Sequence, residues 1–168
     1  MGQQRTRNRP DATTRPHLMG TIADLLVATR GHKIYLDTNI FVYFLDKNTQ
    51  FFDAAAALMH SLASRHAHAY TGQIAVAETM VGPYRSGNPR LIASALAFFA
   101  QKHVLTVVRH GDGAYQHAAQ CRAQTGVKLI DALHIATALQ AQCRYLITND
   151  KAMRTSGQLQ ILQLSDYC

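Results

Sequence analysis

The sequence predicts a single α/β domain, a three-layer α/β/α sandwich on a mostly parallel sheet. Short runs rich in β-branched and aromatic residues alternate with longer helical patterns, and strands separated by helices form parallel βαβ units. No repeat, low-complexity stretch or linker divides the chain. Its 168 residues are 48% hydrophobic and 16% charged, which suits one globular domain with a buried core.

The first predicted strand, residues 33–37, ends on an acid. Asp37 and Asn39 favour cap and turn positions, so we expect a helix to begin here and to reach Phe44. Apolar residues at helical spacing then predict a second helix up to about Arg65.

The middle of the chain is predicted to hold a weak strand and a strong one. Residues 68–71 are the weak strand, and a helix over 73–81 should be stopped by Gly82-Pro83. A further helix, opened by a proline near its first position, covers residues 88–101. Residues 104–108 are dense in β-branched residues and predict an inner strand of the sheet.

Two helices and two strands complete the predicted domain. Residues 112–125 are helical and close at Gly126, a C-cap signal, and residues 129–142 form an Ala/Leu-rich helix. The last strands are predicted at 145–148 and 159–164.

Basic residues exceed acidic ones, 17 against 10, for a formal charge of +7. Such an excess favours polyanionic partners, although it also keeps a protein soluble. Residues 1–20 hold four arginines and one aspartate, and we expect a basic, flexible extension before a domain over 21–168. The extension can hold RNA, form a disordered tail, or precede a true start at Met19.

Three cysteines without a CxxC pair predict free thiols in a reducing compartment, with no disulfide framework or zinc spacing. No apolar run approaches the roughly 18 residues of a membrane-spanning helix. We therefore expect a cytoplasmic protein with no membrane segment.

Four acidic residues occupy positions that suggest chemistry. Asp37 and Asp150 follow predicted strands, where open α/β sheets bind ligands. Glu78 and Asp131 lie in apolar helical segments, where an unpaired charge is costly. Either helical acid alone is better explained by a salt bridge, an exposed helix edge or a helix-start position. Four carboxylates together require cations, and hard divalent ions take oxygen ligands.

Four sequence blocks resemble the signature blocks of PIN domains, in order, between about Lys33 and Tyr167. The compact size and the Asp-Ala-Leu-His-Ile-Ala block are most similar to VapC-type toxins of bacterial toxin–antitoxin pairs. The family fold, a parallel sheet between helices, agrees with the predicted one. The blocks are Tyr35-Leu36-Asp37-Thr38-Asn39, Ala77-Glu78, Asp131 to Ala138, and Ile147-Thr148-Asn149-Asp150.

The resemblance implies hydrolysis of RNA phosphodiester bonds with Mg²⁺ or Mn²⁺. It makes Asp37, Glu78, Asp131 and Asp150 the metal-site acids, whose ions bind the scissile phosphate and lower the pKa of a bound water. Asp37 and Asp150 are expected to be direct ligands, and the other two to complete the shell directly or through water. A cognate antitoxin and a homodimer are the partners that the resemblance implies.

Residues beside the acids are candidates for supporting roles. Thr38 and Asn39 could hydrogen-bond Asp37 or phosphate, or only cap the next helix. Thr148 and Asn149 stand likewise beside Asp150, with a simple turn as the alternative. His134, one helical turn after Asp131, could contact RNA, tune the metal shell or pack in the core.

Basic and aromatic side chains supply further candidates for RNA contact. Helical spacing places the aromatic residues in the core or an interface before a base-stacking role, and the resemblance makes the helices after Asn39 an antitoxin groove. The candidate phosphate contacts are Arg85, Arg90, Arg109, Arg122, Lys128 and Lys151. The aromatic residues are Phe41, Tyr43, Phe44, Phe51 and Phe52.

Three alternatives to a toxin ribonuclease stay open. A housekeeping nuclease for RNA processing or DNA structures would share the fold and the metal chemistry. A non-catalytic binding module would be expected to have lost some of the four acids. An aspartyl phosphatase using Asp37 would need a second acid two residues on, where this chain has Asn39.

Overall fold

The computed structural model describes residues 20–155 and 157–168. Apart from Gly20, the extension expected at residues 1–20 lies outside this range. The strands are β1 Lys33–Leu36, β2 His68–Gly72, β3 Leu105–Val108, β4 Tyr145–Thr148 and β5 Gln160–Gln163. The helices are α1 Ile22–Thr29, α2 Thr38–Leu45, α3 Phe52–Ala63, α4 Gln73–Ser86, α5 Pro89–Phe99, α6 Asp112–Thr125 and α7 Leu129–Gln140, and a 3-10 helix covers Leu164–Tyr167.

The sheet is parallel throughout and has the order β3-β2-β1-β4-β5. Alternate side chains of its central strand enter two separate cores, as the two-residue period of a strand requires. Ile34 and Leu36 pack with α1, α2 and α3, whereas Tyr35 packs with α6 and α7. Helices therefore cover both faces, which confirms the predicted three-layer sandwich.

The strand order reverses at β1, whose neighbours are β2 on one side and β4 on the other. Leu36, the last residue of β1, is paired with Ile147 near the end of β4. In open parallel sheets the crevice at such a reversal, outside the carboxyl ends of the strands, is where ligands bind. The fold thus places the residues that follow β1 and β4 at one crevice.

The prediction of an inner strand at residues 104–108 is wrong, because β3 is an edge strand with β2 as its sole neighbour. Thr106 in its middle is exposed. The β-branched residues pack against the helical layers. Their high frequency therefore indicates packing against helices and does not indicate an inner strand.

The helix predicted to stop before Gly82-Pro83 continues through them, so that prediction is wrong as well. Helix α4 runs to Ser86 and ends at Gly87, whose φ of 63° is the left-handed conformation that glycine adopts without strain. A proline inside a helix lacks one N–H donor. Beyond it, the last turn of α4 is supported by Ser86 Oγ, which donates to Pro83 O at 2.7 Å.

Helix α1 was not predicted, although its start carries a recognisable signal. Thr21 and Asp24 form a capping box, in which each side chain accepts a hydrogen bond from the other residue's backbone N–H. Helices α3, α5 and α7 end about two residues before their predicted ends, as frayed helix termini commonly do.

The three cysteines are free, as predicted, with Cys143 buried and Cys168 exposed. Among the described helices, none has both the length and the apolar character needed to cross a bilayer.

Candidate active site

Asp37 lies in the crevice between β1 and β4 and is 5% exposed. It caps α2, where its Oδ1 accepts a hydrogen bond from Thr38 N at 2.8 Å. Its Oδ2 accepts from Asn39 Nδ2 at 2.8 Å and from Thr148 Oγ1 at 2.5 Å. A carboxylate offers about four acceptor positions, so these three donors fix its orientation and leave room for one more partner.

Glu78 reaches the same crevice from α4, with its side chain 34% exposed. Its Oε2 accepts from Thr38 Oγ1 at 2.6 Å and lies 3.1 Å from His134 Nε2. The same His134 nitrogen is 3.5 Å from Asp37 Oδ1. The hydrogen bond to His134 is the main cause of the lowered pKa of Glu78; burial opposes it, and the bond from Thr38 adds to it. Glu78 is therefore ionised at neutral pH.

Asp131 lies close enough to Asp150 and Asp37 for their charges to act on it. Burial is the main cause of the raised pKa of Asp131; the charge of Asp150 adds to it, against the opposing charge of Lys128, and Asp37 raises it further. Asp131 Oδ2 is inaccessible to solvent and has no hydrogen-bond partner within residues 20–155 and 157–168. The charges of Asp150 and Asp37 thus act on Asp131, and Glu78 is connected to Asp37 through His134 Nε2.

His134 is held by buried hydrogen bonds that the sequence interpretation missed. It is 1% exposed, and its Nδ1 lies 2.9 Å from the hydroxyl of the fully buried Tyr35. That hydroxyl accepts from Gly72 N at 2.9 Å. Burial raises the pKa of Tyr35, so the phenol keeps its proton at neutral pH. Tyr35 therefore holds the His134 ring with Nε2 toward Glu78 and Asp37.

A second histidine supports the same corner of the sheet. Ile74 N donates to His110 Nε2 at 3.0 Å, and His110 Nδ1 lies 3.0 Å from Thr137 Oγ1. Gly72 admits no side chain, because a Cβ would lie 2.7 Å from His110 Cε1 and 2.9 Å from the hydroxyl oxygen of Tyr35. The sequence feature that could have predicted the hydrogen bond to His134 is Tyr35, because a buried tyrosine in an apolar strand requires a partner for its hydroxyl.

The other supporting candidates divide into two groups. Asn39 and Thr148 hold Asp37, and Asn39 Nδ2 also donates to Thr148 Oγ1 at 3.0 Å. Asn149 instead has a structural role, because its Oδ1 accepts from Ser165 N at 2.7 Å and its Nδ2 donates to the Tyr43 hydroxyl at 3.5 Å. Asn39 also weakens the phosphatase alternative, since it is a donor to Asp37 where an acid would be required.

Few of the candidate RNA-contact residues interact with the four acids. Lys128 is exposed and acts electrostatically on Asp131, and Lys151 is exposed beside Asp150. Phe41 is fully buried against Phe98 and Phe99, which excludes it from base stacking. The remaining aromatic candidates are partly buried and pack in pairs, Tyr43 with Phe51 and Phe44 with Phe52. The candidate arginines Arg85, Arg90, Arg109 and Arg122 are all exposed.

The donors of the crevice suit a hard divalent cation, because they are carboxylate oxygens and one of them is buried without a partner. As the side chains stand, no three His, Cys, Asp or Glu residues in the described part of the chain enclose an ion. The residues nevertheless fit the cation in kind.

A family model for the PIN domain matches residues 34–157, a span that includes all four acids. The chain belongs to the PIN domain family. Membership confirms the resemblance drawn from the four sequence blocks. The comparison with curated proteins gave no match.

Three solved structures illustrate the similarity in fold. VapBC2 from Rickettsia felis, bound to a promoter DNA fragment, has a TM-score of 0.63 at 20% identity over 78% of this chain and 98% of its own. VapBC-1 from Haemophilus influenzae has a TM-score of 0.59 at 20% identity over 79% and 98%. VapC20 from Mycobacterium tuberculosis, a sarcin–ricin loop cleaving toxin, has a TM-score of 0.55 at 17% identity over 67% and 86%.

Asp131→Asn is expected to raise the melting temperature of the protein in EDTA at pH 7. The raised pKa of Asp131 means that ionisation costs stability, which is lost as pH rises from the ordinary carboxyl value through the raised one. The substituted amide removes that charge and can donate to neighbouring carboxylates.

Asp37→Asn is the matched comparison and is expected to destabilise by about 1–3 kcal/mol, because an amide cannot accept from all three donors. Thermal unfolding of both variants tests these two opposite expectations. A fall in melting temperature for Asp131→Asn would contradict the assignment of an uncompensated acid.

Proposed function

We propose that this PIN domain is a metal-dependent endoribonuclease that hydrolyses RNA phosphodiester bonds and acts as the toxin of a toxin–antitoxin pair. The observation that supports it most is the buried, unpartnered Asp131 Oδ2 beside Asp150 and Asp37, at the reversal of strand order. A folded protein keeps mutually repelling carboxylates together where function requires them, because the arrangement costs stability.

Asp37, Asp131 and Asp150 would hold Mg²⁺ or Mn²⁺, with Glu78 joining them directly or through water. When bound, such an ion neutralises charge on the scissile phosphate and lowers the pKa of water. Glu78 has its Oε2 occupied by Thr38 and His134, so its Oε1 is the oxygen suited to orienting the attacking water. The exposed Lys128 stands beside Asp131, where it can attract the phosphate of an incoming strand.

His134 and Tyr35 position the acids in this proposal. Through Nε2 the histidine limits the approach of Glu78 to Asp37, and Tyr35 prevents the ring from turning. Hydrogen-bonded groups behind metal ligands commonly contribute tenfold or more to metal affinity or activity.

RNA as substrate and an antitoxin as partner are supported by the solved relatives. The Mycobacterium tuberculosis protein is a toxin that cleaves the sarcin–ricin loop, and the Rickettsia felis and Haemophilus influenzae structures are VapBC pairs. In this chain the partly buried aromatic pairs of α2 and α3 would form the surface that an apolar antitoxin segment covers. The homodimer stays a prediction, which light scattering of the purified chain would check.

Purified protein with Mn²⁺ is expected to cleave RNA to products with 5′-phosphate ends, and EDTA should stop the reaction. Asp131→Asn is the most informative variant, because it is expected to stay folded while losing at least a hundredfold in rate. Gel analysis across tRNA, rRNA and mRNA substrates gives both the activity and the preferred RNA. Full activity of a folded Asp131→Asn variant would contradict the proposed site.

Expression in bacteria separates the toxin from a housekeeping nuclease. A toxin should arrest growth, and Asp131→Asn should abolish the arrest. Normal growth with an active enzyme would favour the housekeeping alternative.

Tyr35→Phe is expected to weaken Mn²⁺ binding about tenfold, because it removes the hydroxyl that holds His134 but keeps the ring. Tyr145→Phe is the matched control: it removes a hydroxyl from the adjacent strand that accepts from the exposed Arg144 and, within residues 20–155 and 157–168, makes no bond to the acids. Calorimetric titration with Mn²⁺ measures both. Equal Mn²⁺ affinities in the two variants would show that Tyr35 has only a structural role.

A further inference from the structure

The amino-terminal edge of the sheet, opposite the four acids, is rich in basic residues. Four helix-to-strand connections meet at this edge, before β1, β2, β3 and β4. Together with the first residue of each strand, every connection contains at least one Lys or Arg and none contains Asp or Glu. We call these residues the basic row: Arg30, Lys33, Arg65, Lys102 and Arg144.

The basic row follows the order of the strands. Lys102 precedes β3, Arg65 precedes β2, Lys33 begins β1 and Arg144 precedes β4, and these four strands are consecutive neighbours. At about 4.8 Å between strands, the row spans roughly 14 Å. A groove of about 250 Å³ opens within it, lined by Arg65, Lys102 and the aromatic ring of Tyr70 among others.

The charges of the row are not neutralised inside the protein. Arg30, Arg65 and Lys102 are exposed and make no ion pair with a carboxylate of the described residues. The C-termini of α1, α3, α5 and α7, which begin these connections, contribute only about half a negative charge each. Their last carbonyls already accept backbone hydrogen bonds, such as Ser64 N to His60 O and Ala100 N to Leu96 O.

The edge has the character of a nucleic-acid surface rather than that of a protein interface. The large apolar side chains that the described domain exposes, among them Tyr84 and Leu96, all lie outside these four connections. A protein partner would need apolar surface to bury, whereas nucleic-acid interfaces are polar and strongly basic. Lys33 and Arg144 lie over the rings of Tyr70 and Tyr145, at 5.5 Å in each case, which keeps both charges at the edge.

We propose that the basic row binds the phosphate backbone of RNA at a site separate from the catalytic crevice. The choice of RNA as the polyanion rests on the proposed function. Strands of four or five residues put the two edges roughly 15 Å apart, so a folded RNA can contact both while a trinucleotide cannot. The row therefore selects long or folded RNA over short fragments.

The test measures binding of a fluorescein-labelled RNA hairpin by anisotropy in EDTA, between 50 and 200 mM salt, using the full chain. The variant is Arg65→Gln with Lys102→Gln, and the matched control is Lys47→Gln with Arg154→Gln, an equal charge change at exposed positions outside the row. Loss of two phosphate contacts on the duplex stem should lower the salt slope by about 1.8 and the affinity at 0.1 M salt roughly 60-fold. The control should change neither by as much.

Equal losses in the two double variants, or none in the row variant, would overturn the proposal. So would polyglutamate that binds the row as tightly as RNA of equal charge. Cleavage of a trinucleotide with Mn²⁺ separates the two proposals: it should be unchanged in the row variant. If the trinucleotide is cleaved and the row variant binds RNA like the unmodified protein, the RNA-binding proposal is wrong and the nuclease proposal is supported. If no RNA is cleaved but RNA binding is weakened in the row variant, the nuclease proposal is wrong and the RNA-binding proposal is supported.

Discussion

The site depends on one arrangement of hydrogen bonds, the three donors that hold Asp37. They come from the start of α2 and from the end of β4, so the acid ties together the two elements that border the crevice. Because Asp37 also caps α2, its orientation is set by the same forces that form the helix. The remaining acids are arranged around this fixed carboxylate.

Asp131 shows the opposite balance of forces. Its inner oxygen is buried without a partner, and the charges of Asp150 and Asp37 oppose its ionisation. The exposed Lys128 opposes this repulsion only in part, because the pKa of Asp131 stays raised. Such a cost in stability is common where function requires it. The crevice thus contains Asp37, whose carboxylate is held by three donors, and Asp131, for which we propose a metal-binding role.

Much of this could be predicted from local patterns, and the remainder depends on tertiary structure. The alternation of strand and helix patterns predicts the fold class, and the ends of the predicted strands indicate Asp37 and Asp150 without the family blocks. Glu78 and Asp131 can be predicted only from the family blocks, because no local sequence feature distinguishes them from exposed acids on a helix. Strand order is not encoded locally, so β3 was misplaced.

Tyr35 and the basic row escaped prediction for the same reason. Tyr35 looks like one more apolar residue of a strand, and its role depends on a histidine that is 99 residues distant. The members of the row are scattered over four connections, and only the parallel topology assembles them at one edge. That topology also separates the charges of the domain, with the four acids at one end of the strands and the basic row at the other.

A single metal site formed by Asp37, Glu78, Asp131 and Asp150 can be tested by anomalous diffraction from crystals soaked with Mn²⁺, because the signal locates the ion without reference to activity. We predict a peak within coordination distance of Asp37, Asp131 and Asp150, with Glu78 beside it. Crystals that bind Mn²⁺ elsewhere but show no peak at the crevice would exclude a metal site at these acids.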